Sequence, residues 1–446
     1  MTVRFHESLP ALIRAADKEG IPLDPQTVVV RDGAGRLILA RERVPDKALL
    51  ETTLRTELEG YAGSIVLVTG SAVRRLINDP TVSVAEVEDT SGQTRTISYA
   101  DRRIVGMDWM HAPSPPANNP KRLVFGSLKG GVGRSTALAV LAADLARAGK
   151  RVLAIDLDIE APGIGFMLLP ASNEYERDRR PRYGVVDYLL ENNLGGISDE
   201  DLYDFVGVSP FAEGSIDVIP AVGRETDEHP DTMISKLSRA MVEDRDEDTV
   251  VPVSEQVRRM VERFVLRGQY DAVLIDARAG MAEITAAPLL ALGAHLMLFG
   301  TDQSQTFRGY AYILAHLVSV SDFANMNPDT DWRQRLSFVQ AKSSSAPSKR
   351  APFRNALYEL CAEQLYDEEK LDSSGKVMGG EFAPGPAETG NGIPHDSLYI
   401  QFHPDYEAFD PGVDRTQLDQ DVYRGPFGSF LERAWQLLAL TREGKT

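Results

Sequence analysis

The chain has 446 residues, 43% hydrophobic and 26% charged, with a formal net charge of −18 and a single cysteine, Cys361. That length exceeds one small core and asks for two domains, one cysteine excludes an internal disulfide framework, and the acidity opposes strong nonspecific attachment to nucleic-acid phosphate. No stretch reaches the roughly 20 apolar residues of a membrane span and no apolar leader follows Met1, so a cytoplasmic protein is expected.

Residues 1–110 read as a small α+β domain with a partner-binding or regulatory role. Helices are expected over Leu9–Lys18 and Asp46–Gly60. Strands Thr27–Arg31 and Leu37–Ala40 flank Asp32-Gly33-Ala34-Gly35, a hairpin signal. Ser64–Thr69 reads as a buried strand, and Val82–Glu88 pairs with Thr94–Tyr99 across Ser91-Gly92. Residues 111–120 carry four prolines and read as a linker.

From residue 121 the pattern changes. Arg122–Gly126 is a short buried strand, Lys129-Gly130-Gly131-Val132-Gly133-Arg134-Ser135-Thr136 is glycine-rich, and Thr136–Ala148 is an Ala- and Leu-rich helix ended by Gly149. Strand, glycine loop and helix form the context of a phosphate loop. Its amides can turn around phosphate oxygens, the helix N-terminus adds partial positive charge, and Ser135 offers a hydroxyl to Mg²⁺. A glycine turn without a ligand is the plain alternative. Three later strands run into acids: Arg151–Asp158 with Asp156 and Asp158, Tyr270–Asp276, and His295–Asp302. Acids at strand carboxyl ends mark the ligand edge of an open α/β sheet.

KGGVGRST, then VLAIDLD, then YDAVLIDARAG together resemble the deviant Walker A ATPases of the MinD/ParA group, and the arginine in the loop resembles a KGGVGR subset of them. The resemblance spans residues 121–446. It implies a P-loop NTPase with a mostly parallel sheet flanked by helices, binding ATP and Mg²⁺. Lys129 matches the lysine that crosses a dimer to the partner's phosphates. Gly130, Gly131, Val132 and Gly133 match the cradle, Ser135 the Mg²⁺ ligand, and Thr136 the α-phosphate neighbour. Asp158 matches the water-orienting residue, Asp156 supports the metal shell, and Asp276 matches the Walker B acid. Gly392-Ile393-Pro394-His395-Asp396 is similar to an element near the base, which makes Pro394 a base contact; Gln340 and Lys342 are weaker ones.

Two positions depart from the family's pattern. Arg134 replaces a lysine held against the β- and γ-phosphates. Its planar fork can grip phosphate bidentately but does not fill an ammonium's volume, so the expectation is either a retuned active site or ATP binding with little hydrolysis. Arg278 comes just after the Walker B acid, either at the γ-phosphate edge as a charge stabiliser or in a salt bridge to Asp276, Asp158 or Glu160.

Outside the motifs, Arg177, Arg179, Arg180 and Arg182 form a basic cluster read as a solvated loop or partner site. Residues 224–250 read as an inserted acidic loop or helix terminus, residues 367–391 as a mobile insertion, and 343–350 as a connector. Phe427–Leu440 reads as an amphipathic helix that packs on the core rather than on a membrane.

The function expected is an ATP-dependent homodimerising switch that acts on a partner protein encoded nearby, as in partitioning or positioning or in a bacterial multi-gene defence or effector system. A non-hydrolysing ATP-sensing scaffold and a ligase-type metabolic enzyme are the alternatives, since fold alone does not fix function.

Overall fold

A computed structural model describes residues 3–442 except 80, 90–91, 104, 170–172, 212–214, 247–248, 324–325, 368–369, 372–376 and 379–381. The chain divides into two compact units, residues 1–107 and 108–446.

The first unit holds helices α1 (Phe5–Lys18), α2 (Lys47–Leu58) and α3 (Val73–Ile77) and strands β1 (Thr27–Arg31), β2 (Leu37–Arg41), β3 (Ala62–Val68), β4 (Ser83–Glu88) and β5 (Thr94–Asp101). The sheet order is β3-β2-β1-β5-β4. β1 is buried throughout because helices cover both faces. Val29 joins α1 and α2 through Leu12, Ala16, Leu50 and Leu54, while Val28 and Val30 join α3 through Val73. The β4–β5 hairpin forms as its alternation implies. α1 starts four residues earlier than the apolar spacing suggests, since the Glu7 carboxylate accepts from the Arg4 amide at 2.8 Å and caps it there.

The second unit is built on a sheet of β6 (Lys121–Ser127), β7 (Val152–Leu157), β8 (Gly207–Val208), β9 (Ile216–Ile219), β10 (Ala272–Ala279), β11 (His295–Gly300), β12 (Leu336–Ser343) and β13 (Leu398–Gln401). The order is β13-β12-β11-β6-β10-β7-β9-β8. Every neighbouring pair is parallel except the β8–β9 edge. The helices used below are α4 (Arg134–Arg147), α5 (Ile164–Leu168), α6 (Val185–Leu194), α7 (Val253–Arg267), α8 (Ser304–Ser319), α9 (Ala351–Gln364) and α10 (Gln420–Leu437). Alternate residues of each strand enter opposite cores, as a sheet covered on both faces requires. Ala272 and Leu274 of β10 face the core of α4 and α10, and Val273 and Ile275 face that of α6, α7, α8 and α9.

The proline-rich stretch is bonded along the second unit rather than spanning free. Ser114 N–H donates to Leu290 O at 2.7 Å, Ala117 N–H to Gly293 O at 2.8 Å, and Arg335 Nη2 to Ser114 O at 2.6 Å. Gly293 has φ +56°, and a Cβ there would stand 2.3 Å from Pro115 O, so glycine is what permits this approach.

The acidic segment is also more ordered than its composition implies. It forms helices Arg224–Glu228 and Met233–Ala240 and a short ladder of Asp244–Asp246 with Thr249–Val251. It meets the basic cluster: Arg180 pairs with Asp227 at 2.6 Å and Arg182 with Glu225 at 2.7 Å. The two runs therefore neutralise one another in part. Ten of the 25 residues of segment 367–391 lie outside the described ones; of the rest, Lys370–Leu371 pairs with Val377–Met378, and Asp367 N–H donates to Phe382 O at 2.9 Å.

α10 begins at Gln420, two turns before the amphipathic run, and continues through Pro426. Its Phe427, Phe430, Leu431 and Ala434 are buried. Asp144 near the end of α4 accepts from Tyr423 Oη at 3.0 Å and Trp435 Nε1 at 2.7 Å, and its Oδ2 pairs with Arg442 Nη2 at 2.9 Å. No helix among the described residues is long and apolar enough to cross a membrane.

Candidate functional site

The glycine loop leaves β6 at Ser127, turns at Gly130 and Gly131 and enters α4 at Arg134, which places the helix start two residues before its apolar run. Gly131 (φ +73°) and Gly133 (φ +85°) take left-handed conformations, Gly133 as the residue before the helix. A side chain there costs about 1–2 kcal/mol; we expect Gly133→Ala to weaken binding of an ATP analogue about tenfold in calorimetry. Lys129, Gly130 and Gly131 are exposed, and Val132 is buried. Lys129 Nζ donates to Gln303 Oε1 at 3.1 Å, just before α8.

Three acids converge behind the loop. Asp156 and Asp276 are partners in register on β7 and β10, and both are fully buried. Ser135 Oγ donates to Asp276 Oδ2 at 2.5 Å, which leaves the hydroxyl lone pairs free. Asp276 Oδ1 finds no partner among the described residues, and neither does Asp158 Oδ1. Burial is the main force raising Asp276, with the Arg134 charge and the Ser135 hydroxyl opposing it. Burial, and next the Asp276 charge, raise Asp156.

Asp156, expected to support the metal shell, is bonded to three backbone amides. Its Oδ1 accepts from Asp158 N–H at 3.1 Å, and its Oδ2 from the Gly163 and Ile164 amides at 3.0 and 3.1 Å. Three amide bonds make it the staple of the 158–164 loop.

Arg134, expected against phosphate, is bonded inward. Nη1 donates to Ala277 O, and Nη2 pairs with Asp158 Oδ2 at 3.1 Å. Arg278 takes the salt-bridge option and pairs with Glu160.

Pro394 is placed wrongly by the sequence match. It is buried and precedes β13, so it lies before that strand rather than at the carboxyl end where the loop stands. The segment at the carboxyl end of β13 is Phe402-His403-Pro404, which sequence reasoning missed because a four-residue strand gives little pattern. A small cleft of about 50 Å³ there is lined by Val132, Gly133 and Thr136 of the loop, Lys342, His403 and Phe427. Lys342 thus stands beside the loop, whereas Gln340 is buried in β12.

The fit to Mg²⁺ is testable on these atoms. Among the described residues no three His, Cys, Asp or Glu side chains form a metal cage. Mg²⁺ beside phosphates needs only one or two protein ligands, and Ser135 with the unpartnered Asp276 oxygen supplies that donor set. Clustered buried acids also favour a cation.

Glycine loop, parallel sheet and acid-ended strands define a P-loop nucleotide-binding domain. A family profile described as the CobQ/CobB/MinD/ParA nucleotide binding domain matches residues 123–294, and this part of the chain is similar to that group. Among solved structures, the chain is similar to a putative plasmid partition protein from Borrelia burgdorferi bound to AMPPNP (16% identity, 72% of this chain and 99% of that one, TM-score 0.41). It is also similar to the septum site-determining protein MinD with Mg-ADP from Pyrococcus horikoshii (17%, 73% and 99%, TM-score 0.43), and to cobyrinic acid a,c-diamide synthase from Mycobacterium smegmatis (20%, 56% and 85%, TM-score 0.37). No curated protein matches the chain.

Proposed function

We propose that this is an ATP-binding and ATP-hydrolysing dimerising switch of the cytoplasm that regulates or positions partner proteins, in partitioning or in a multi-gene defence or effector system. One observation carries the reading: two buried carboxylates, Asp158 and Asp276, each keep an oxygen unbonded among the described residues beside a glycine loop.

The loop amides and the α4 N-terminus bind phosphate oxygens. Ser135 and Asp276 hold Mg²⁺, which supplies positive charge against the phosphates when bound. Asp158 accepts a hydrogen bond from a water and aims it at the terminal phosphorus. Water adds, the terminal P–O bond to ADP breaks, and inorganic phosphate and a proton leave. Lys129 is exposed, which suits a role in a second subunit's site.

Phosphate release by the purified protein above background tests hydrolysis; its absence with ATP analogue still bound favours the sensing scaffold. Light scattering tests the switch. Mass is expected to double with Mg-ATP in the wild type and stay monomeric in Lys129→Ala. A constant mass in both, or a normal shift in the variant, removes the dimerisation reading.

A further inference from the structure

We infer that Arg134 is a positioning residue for Asp158 and not a phosphate ligand, an assignment that rests on the ATPase reading above. The starting observation lies in β10. Its ladder with β6 runs from Ala272 to Asp276 and then shifts register, resuming only at Ala279 opposite Ser127. On the other side Ala277 still pairs with Leu157 of β7. The shift releases the Ala277 carbonyl from the β6 ladder, and a buried carbonyl without a donor is costly. Arg134 Nη1 supplies that donor.

The second terminal nitrogen goes to Asp158 Oδ2 at 3.1 Å, and the two side chains are 8% and 9% exposed. Both ends of the fork are committed to protein acceptors. A lysine offers its donors from one nitrogen on a flexible stem and does not present two coplanar nitrogens to two separate acceptors, as the guanidinium does here. The replacement of the usual lysine thus has a local cause: a bulged strand and an acid that one fork satisfies together.

The consequence falls on Asp158. Its amide is held by Asp156 Oδ1 and its Oδ2 by Arg134, while Oδ1 has no partner among the described residues. The carboxylate is fixed by backbone and side chain with one oxygen left over for a water. Phosphate charge is then met by the loop amides, the helix terminus and Lys129.

The test is a double-mutant cycle on Arg134→Gln and Asp158→Asn, reading both turnover and binding of a non-hydrolysable ATP analogue. If Arg134 acts through Asp158, each single variant loses about 100-fold in kcat, and the double variant loses no more than either. Analogue affinity of the double variant stays within about threefold of Asp158→Asn alone. The double variant lacks both charges of the 134–158 pair, so this comparison remains readable if Arg134→Gln alone does not fold; Asp276 also loses the Arg134 charge there, and Arg134→Lys, which keeps a positive charge at 134, controls for that. Arg134→Lys is expected to lose about tenfold in kcat, because a single ammonium nitrogen on a flexible stem does not reproduce the two fixed contacts of the fork.

Multiplicative losses in the cycle overturn the assignment. So does a further affinity loss of about 30-fold in the double variant that lysine at 134 restores, since that is the behaviour of a phosphate ligand. Wild-type turnover in Arg134→Lys overturns it as well. Failure of the wild-type protein itself to bind the analogue removes the ATPase reading, which separates the two failures. In a wild type that binds without turnover, the affinity comparison decides alone.

Discussion

Asp158→Asn is expected to lower ATP turnover at least about 100-fold while leaving analogue binding in place. The amide has the carboxylate's shape. Its oxygen can still accept from Arg134 Nη2, which bonds Oδ2 in the native protein. What changes is the other position, now an NH₂ donor where Oδ1 stood without a partner. A donor cannot accept a proton or a hydrogen bond from water. Single-turnover phosphate release and calorimetry with an analogue check both halves. Turnover within about threefold of wild type would take Asp158 out of the chemistry. Asp158→Ala is the harsher change. It leaves a buried guanidinium with only the Ala277 carbonyl, and removing one partner of a buried pair costs roughly 3–5 kcal/mol. Alanine is therefore expected to confuse lost stability with lost chemistry, and asparagine is the cleaner probe.

The largest stability effect is expected at Asp144→Ala. One buried carboxylate accepts from Tyr423, Trp435 and Arg442, and all three belong to α10 or the residues just after it. Alanine leaves two aromatic donors and a guanidinium without their acceptor, at about 1–3 kcal/mol for each buried donor left unmade. A loss of about 3–5 kcal/mol is expected, read by urea or thermal unfolding. The effect is expected to reach the proposed nucleotide site, because Phe427 of the same helix lines the cleft beside the glycine loop. Weaker analogue binding should accompany the lower melting point. Unchanged unfolding would mean that α10 is held by its apolar face alone.

Local patterns made much of this site legible. The glycine loop, Ser135 and the acids of β7 and β10 are read from short stretches, since strand, loop and helix succeed one another directly in the chain. Helices α1 and α2 and the two hairpins of the first unit were legible for the same reason, whereas five-residue α3 was not read. What failed depends on contacts between distant elements. The direction of Arg134 is set by a register shift in β10, which no spacing in the loop reveals. Glu160 was one of three possible partners for Arg278, and only the fold chooses it. Pro394 matched a short string, but its place relative to the sheet turns on four-residue β13. The acidic run around residue 225 looked solvated because its partners, Arg180 and Arg182, lie some forty residues earlier.

The sheet order also bears on how the molecule is made. β6 carries the glycine loop, yet its two neighbours are β10 and β11, residues 272–279 and 295–300. The first unit closes its own sheet once β5, ending at Asp101, is available. On the ribosome, then, the N-terminal unit can fold before the loop has any strand to lean on, since domains fold as units during synthesis. The loop emerges long before Asp276. A nascent chain therefore passes through a stage in which it carries the glycine loop but not Asp276, the acid proposed to hold the metal, and the proposed site stays incomplete until β10 has been delivered.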